Sequence, residues 1–332
     1  MTAARISLPV ALMALALVAA AMGSSFMPLD RIIAALFGQG SRPDTVILWT
    51  LRLPRVLMAI LAGAGLGIAG VLLQRATRNP LASPGVLGVV DGAAIGVLVF
   101  LLVFSNEANA LAVSVAWQPI AAIIGALIFA AFVAVLAYRD IARPMTLILY
   151  GIALAALANA VVVLLIIAGP VYRASQGLIW LAGSVQSAEW REVWILLAAL
   201  IGAVPVLAAL IRPLDQMHLD DHSARATGLS VNRVRVFALI LSVLLTAAMV
   251  SIVGGVGFVG LIAPHAARLL FGNRAVWQLT GAALIGAGMV LGADLIVRVL
   301  FQPLEVPAGA VTALIGAPYF LFLLIRQGRA HA

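Results

Sequence analysis

Long apolar runs separated by short polar connections repeat along the whole chain. A helix rises 1.5 Å per residue, so roughly 20 apolar residues cross the hydrocarbon core of a bilayer. Such runs occupy residues 6–22, 56–73, 92–104, 119–137, 145–168, 193–211, 236–253, 256–267, 279–296 and 311–325. The pattern predicts an all-α, polytopic membrane protein of about ten transmembrane helices in one domain, 1–332. The runs beginning at Gly92 and Val256 are short for a full crossing. Only Gly254-Gly255-Val256-Gly257 separates the seventh run from the eighth. The first run has two readings, a cleaved signal segment ending near Gly23 or a retained span. The spans that follow favour retention. Between the first two runs, 29–37 reads as an amphipathic piece lying at the interface.

Composition fixes the class. Hydrophobic residues make up 64% of the chain and charged residues 10%, too little charge to cover a soluble surface of this length. The formal net charge of +8 rests on arginine alone, because the sequence contains no lysine. That removes the P-loop lysine and the Schiff-base lysine from consideration. If ATP drives this protein, another chain binds it. Without cysteine there is no disulfide, thiolate nucleophile or cysteine metal site. The arginines lie scattered between spans, which fits the positive-inside rule better than nucleic-acid binding. An even number of spans puts both termini on one side. Arg75, Arg78, Arg212, Arg225, Arg233, Arg235, Arg268 and Arg274 fall on that side, so we read both termini as cytoplasmic.

Several polar positions carry candidate chemistry. Residues 51–96 combine a basic entrance (Arg52, Arg55), a glycine-rich span, a basic exit (Arg75, Arg78) and the kinked segment Asn79-Pro80-Leu81. A rigid loop at a membrane face beside a closely packing helix reads as a gate. In the loop 214–234, Asp220, Asp221 or Ser223 would cap a short helix ended by Gly228. Such a helix suits docking to a soluble partner; the alternative is an ordinary solvated loop. Asp294 and Arg298 stand four apart on a helix and can pair. Arg52 and Arg55 either snorkel to headgroups or meet an acidic partner. Asp91, at the start of the third span, reads as a helix cap. His265 reads as a packed residue, since His218, His222 and His331 make no metal-ligand spacing with it. Gly63/Gly67, Gly92/Gly96 and Gly288/Gly292 are small-xxx-small pairs suited to close helix packing, within one bundle or across a dimer seam. No aspartate pair, HExxH or serine–histidine dyad marks an intramembrane enzyme.

Five stretches together resemble a known family: LRLPR at 51–55, RNPLASPGVLGV at 78–89, HSARATGLSV at 222–231, GFVGLIAPHAARL at 257–269 and VPAGAVTALIGAPYFLFLLIR at 306–326. They are similar to the permease subunits of bacterial type II ABC importers, which carry iron-siderophores, haem or vitamin B12. The resemblance implies ten spans, a homo- or heterodimer of permeases, two ATPase subunits binding ATP and magnesium, and a periplasmic binding protein. No cofactor or metal is expected on this chain, and no enzymatic step. The location implied is the bacterial inner membrane. By the same resemblance, Ser223, Ala224, Arg225, Thr227 and Gly228 form the ATPase-coupling helix. Asn79, Pro80 and Leu81 match the cytoplasmic gate. Arg52, Arg55 and Arg298 match arginines that dock the binding protein. Residues 177–190 look most like siderophore permeases, including the ferric citrate type, with haem and vitamin B12 as alternatives. The chain departs from the pattern at Asp91, where asparagine or another polar residue is expected, and at Pro144 and Met145, where small hydroxyl residues line a second gate of the vitamin B12 branch. A different class, the ion-coupled secondary transporter, would need mid-membrane charge and inverted repeats, neither of which the sequence displays.

Overall fold

The structure is a computed structural model that describes residues 2–23, 25–106, 110–137, 143–301, 304 and 306–329. His331 lies outside the described residues. The helices run α1 (Thr2–Ala21), α2 (Leu29–Leu36), α3 (Arg42–Val46), α4 (Leu53–Thr77), α5 (Val89–Val103), α6 (Gln118–Ala137) and α7 (Pro144–Ala168). They continue as α8 (Val171–Ala182), α9 (Trp190–Gln216), α10 (Asp221–Ala226), α11 (Val231–Val253), α12 (Val259–Phe271), α13 (Ala275–Leu300) and α14 (Ala308–Arg329). Each of the ten expected runs falls on one of these helices. Among the described residues, seven helical stretches are long and apolar enough to cross a membrane, and α5, α12 and Ala308–Phe322 of α14 are shorter apolar helices. The protein is an integral membrane protein.

A π-helical turn, Ile47–Arg52, joins α3 to α4, so helix is continuous from Arg42 to Thr77. The amphipathic piece is α2, with Ile32 and Ala35 buried while Leu29, Ile33 and Phe37 are exposed. Its apolar outer residues suit an interfacial position.

The central span is α4. Of its most apolar window 72% is buried, against 17% for α7 and α9, so α4 is packed by other helices of the chain while α7 and α9 turn most of their surface outward. Glycine permits the closest contact. A Cβ on Gly63 would stand 2.2 Å from the carbonyl oxygen of Gly286 on α13, and one on Gly92 would stand 2.7 Å from that of Gly125 on α6. These two glycine pairs are therefore seams inside the chain, where backbones approach in lipid without side chains between them. Gly288 differs, with no atom within 4 Å of a Cβ built there, and Gly292 meets only Leu15 of α1 at 3.9 Å. The third pair forms no backbone seam within the chain.

The interior also contains broken helix ends. The eighth span starts at Val259 rather than Val256, because Gly254 (φ 72°) ends α11 and Phe258 takes a left-handed conformation (φ 65°) before α12. Between the runs at 145–168 and 193–211, where the sequence pattern marks no span, lies the extra helix α8. Its end joins the others: Ser184 N–H donates to Val253 O at 2.8 Å and Gly309 N–H donates to Gly183 O at 3.0 Å. Non-helical backbone at membrane depth is tolerated where protein surrounds it and completes its hydrogen bonds. Asp91 is not the cap of α5. Gly88 (φ 70°) holds that position, and Asp91 sits in the first helical turn, facing a cavity of about 240 Å³ shared with Ser83, Thr246 and Gly257.

Candidate functional site

The polar groups gather at the two ends of α4. At its C-terminal end, Arg78 caps the helix in a left-handed conformation (φ 52°). An Asx-type turn follows at once, with Asn79 Oδ1 accepting from Leu81 N–H at 2.9 Å and Asn79 O accepting from Ala82 N–H at 3.1 Å. Pro80 fixes the middle of the turn, and Leu81 stands 37% exposed at its tip. The expected gate residues thus form one rigid turn presenting an apolar side chain.

The expected coupling segment lies on the same face. Asp220 is the N-cap of α10, accepting from His222 N–H at 2.9 Å and Ser223 N–H at 3.0 Å. Hydrogen bonding from Ser223 holds its carboxyl down at about pKa 2. At the other end, Gly228 (φ 84°) closes a Schellman motif, in which Leu229 N–H donates to Ala224 O and Gly228 N–H donates to Arg225 O. Of α10, only Ala224 is buried. Ser223, Arg225, Thr227 and Gly228 are exposed.

Three arginines bind these segments to the spans. Arg75 donates to Gln278 Oε1 at 2.8 Å, to Leu214 O at 2.9 Å and to Asn273 O. Arg78 donates to Leu219 O and pairs with Asp221 at 2.9 Å. Arg235, 1% exposed, donates to Ala76 O at 2.9 Å and meets Asp221 at 3.3 Å. Beside Arg75 and Arg78 opens a cavity of about 210 Å³, with Arg78 and Pro80 on one side and Met217 and His218, just past α9, on the other. The pattern of charges showed Arg75, Arg78 and Arg235 only as charges of one membrane side. Their spacing from span ends, one turn or less, was the signal that they serve the backbone there.

At the N-terminal end of α4 the three arginines expected to dock a partner are placed differently from one another. Arg52 is 5% exposed and donates to Ala20 O at 2.7 Å and Ala21 O at 2.8 Å, with a further bond to Ser25 O. It closes the end of α1, whose last carbonyls lack helical partners, and is almost wholly covered by the chain itself. Arg55 turns instead to Asp294 on α13, with contacts from 2.6 to 3.1 Å, and keeps a side chain 17% exposed. Arg298 approaches Asp294 at 3.5 Å and is 8% exposed, with Nε and Nη2 lacking a hydrogen-bond acceptor. The three expected docking arginines thus surround one aspartate and one helix end.

Met145, at a departure from the vitamin B12 pattern, is 65% exposed in the first turn of α7. His265 is buried in α12 beside Pro264. Among the described residues, no group of three or more His, Cys, Asp or Glu is placed to hold a metal ion.

Comparison with known proteins agrees with the arrangement of spans. The model of the FecCD transport family matches residues 11–326. The chain is 41% identical to the Probable siderophore transport system permease protein YfhA of Bacillus subtilis (strain 168), over 94% of this chain and 91% of that one. It is 38% identical to the Fe(3+)-citrate import system permease protein YfmE of the same strain, over 97% and 94%. A solved inward-facing structure, described as a metal-chelate type ABC transporter, superposes with a TM-score of 0.85 at 29% identity, covering 96% of this chain and 98% of that one. Ten apolar helices in the expected order, matched over nearly their full length, place this chain in the FecCD transport family, the permeases of siderophore and iron-chelate ABC transporters.

Proposed function

We propose that the chain is the membrane-spanning subunit of an ATP-driven importer of ferric siderophore complexes. ATP is hydrolysed on a separate pair of subunits, a second permease completes the pathway, and a periplasmic binding protein delivers the cargo. The α10 face is cytoplasmic, as the arginine distribution indicates, and the membrane is the bacterial inner membrane. The observation that carries this reading is the contact between the two polar segments. An exposed, doubly capped helix suited to a soluble partner is paired through Asp221 with Arg78, the residue before the Asn79–Leu81 turn, at 2.9 Å, and the cavity of about 210 Å³ beside Arg78 and Pro80 reaches the connection leading into that helix. A partner pushing on α10 therefore acts beside a turn able to block a pathway. In this reading Ser223 to Gly228 receive the ATPase, Leu81 plugs by apolar contact with its counterpart on the second permease, and Asn79 and Pro80 keep it erect. On the opposite face, Arg55 is the arginine left to meet an acidic group of the binding protein, with Arg298 behind it.

The test uses the complex assembled in nanodiscs with its ATPase and binding protein. ATP hydrolysis and uptake are measured with ferric citrate, a ferric hydroxamate, a ferric catecholate, haemin and cobalamin in parallel. The reading expects a ferric siderophore to stimulate hydrolysis and enter the lumen of reconstituted vesicles. Stimulation by haemin or cobalamin alone overturns the cargo class, and uptake without ATP overturns the importer.

A further inference from the structure

The cavity of about 210 Å³ lies between the Asn79–Leu81 turn and the connection leading into α10, and does not by itself say how a displacement of α10 would reach the turn. Asp221, the first helical residue of α10, supplies a physical connection. It faces two arginines from different spans, Arg78 at 2.9 Å and Arg235 at 3.3 Å. The two are attached differently. Arg235 is buried, sits near the start of α11 and is anchored to Ala76 O at 2.9 Å, so it belongs to the packed body. Arg78 is 31% exposed at its side chain, and its backbone continues directly into Asn79. It also donates to Leu219 O, in the turn leading into α10. The remaining attachment of α10 to the body is slight, since Ala224 is its one buried side chain.

Resting on the functional reading above, we propose that Asp221 is a positioning residue that transmits movement of α10 to the gate turn, through Arg78, with Arg235 as the fixed pivot. A charge-assisted pair holds direction as well as contact. When α10 shifts, the Asp221 carboxylate shifts with it. Arg235 cannot follow, because its guanidinium is buried and bonded to α4. Arg78 can follow, because it lies at a helix end in a left-handed conformation outside the regular ladder. Its rotation re-aims the peptide entering the Asn79 turn and so moves Leu81. The same carboxylate is thereby shared between a stiff partner and a yielding one, and motion is delivered to the yielding side.

The chain has no cysteine, so Leu81→Cys introduces a single thiol into the permease at the tip of the turn. The complex with its ATPase, in nanodiscs, is labelled with a maleimide without nucleotide and after trapping with ATP, magnesium and vanadate. With the native carboxylate, the labelling rate differs roughly fivefold or more between the two states, the lower range of allosteric coupling. In the added background of Asp221→Asn, or separately Arg78→Gln, the ratio falls to near one while the ATPase still co-purifies and still traps nucleotide. Asp221→Glu, which keeps the charge, retains most of the ratio. Loss of the ATPase from both variants would make the bridge a folding element and overturn the proposal. A nucleotide-dependent rate that survives both substitutions also overturns it, while leaving the gate in place. A rate independent of nucleotide with Asp221 intact overturns the gate, and the transmission role with it.

Discussion

Each end of α4 carries a cluster of arginines around a carboxylate, and the two clusters hold different things. At the N-terminal end, Arg52 fastens the last carbonyls of α1, and Arg55 with Arg298 surrounds Asp294 of α13. Apart from Ser25 O, a third acceptor of Arg52, those acceptors belong to spans. At the C-terminal end, Arg75 and Arg235 also reach span acceptors, Gln278, Leu214 and Ala76, but the cluster extends to Leu219 and Asp221, before and in α10, and to Asn273, between α12 and α13. The first cluster joins rigid bodies to each other and has little freedom. The second joins rigid bodies to short segments with few buried side chains of their own. Low local stability is what a moving element requires. The same residue type therefore locks one face and tethers the other, and the difference lies in the backbone to which the acceptor belongs.

The largest effect is expected where the charge is most buried. Asp294 is 1% exposed. Replacing it by asparagine leaves Arg55 and Arg298 without a counter-ion, and removing one partner of a buried pair typically costs about 3–5 kcal/mol. Thermal unfolding of Asp294→Asn in detergent should show a large loss. Arg298→Met should be much milder, because two of its nitrogens already lack acceptors. Equal losses for the two would mean that Arg298, not Arg55, is the partner that matters.

Arg52 supplies the next step down. Arg52→Gln keeps a donor but cannot reach three carbonyls in one fork, and charged hydrogen bonds contribute about 1.5–3 kcal/mol each before compensation by water. We expect a net loss of about 2 kcal/mol in unfolding experiments, with α1 the first segment to become accessible to protease. Binding-protein association should respond to Arg55→Glu and not to Arg52→Gln at temperatures where both remain folded. A slower association for the Arg52 variant under those conditions would return it to the surface role.

The spans, the interfacial helix and the capped α10 were legible because each depends on local pattern: apolar length, amphipathic spacing, an aspartate before and a glycine after. The role of Arg52 was not, since its acceptors are backbone carbonyls about thirty residues away and no sequence pattern marks a carbonyl as unpaired. Asp294 was paired by spacing with Arg298, four residues on, yet its nearer partner Arg55 comes from another span entirely. The helix α8 escaped notice because it is too short to cross and depends on tertiary hydrogen bonds from Gly183 and Ser184 to neighbouring spans. Gly288 and Gly292 share the spacing of Gly63 and Gly67 but face a gap. Spacing fixes which helix face is small, not whether another helix lies against it.

The smallest effect concerns the α10 face alone and follows from its N-cap. Asp220 is ionised when it accepts from His222 and Ser223, and that bonding lowers its pKa to about 2 from an ordinary 3.8. A carboxylate with a depressed folded pKa stabilises the folded form fully above its unfolded value and loses that contribution as pH falls through the folded one. The cap therefore stabilises α10 unchanged from neutrality down to about pH 4, and the contribution disappears between about pH 4 and pH 2. The spans, held at the other end by buried groups, should remain packed over the upper part of that window. A spin label at exposed Ala226 would report the change as faster motion on acidification, while a label in the π-helical turn at Trp49 would not. Asparagine caps nearly as well as aspartate but does not titrate, so Asp220→Asn should hold α10 in place with no pH dependence there. Asp220→Ala should show fast motion at every pH. If the label at Ala226 loosens with the same midpoint in the wild type and in Asp220→Asn, another group titrates on that face, and the cap does not set the stability of α10.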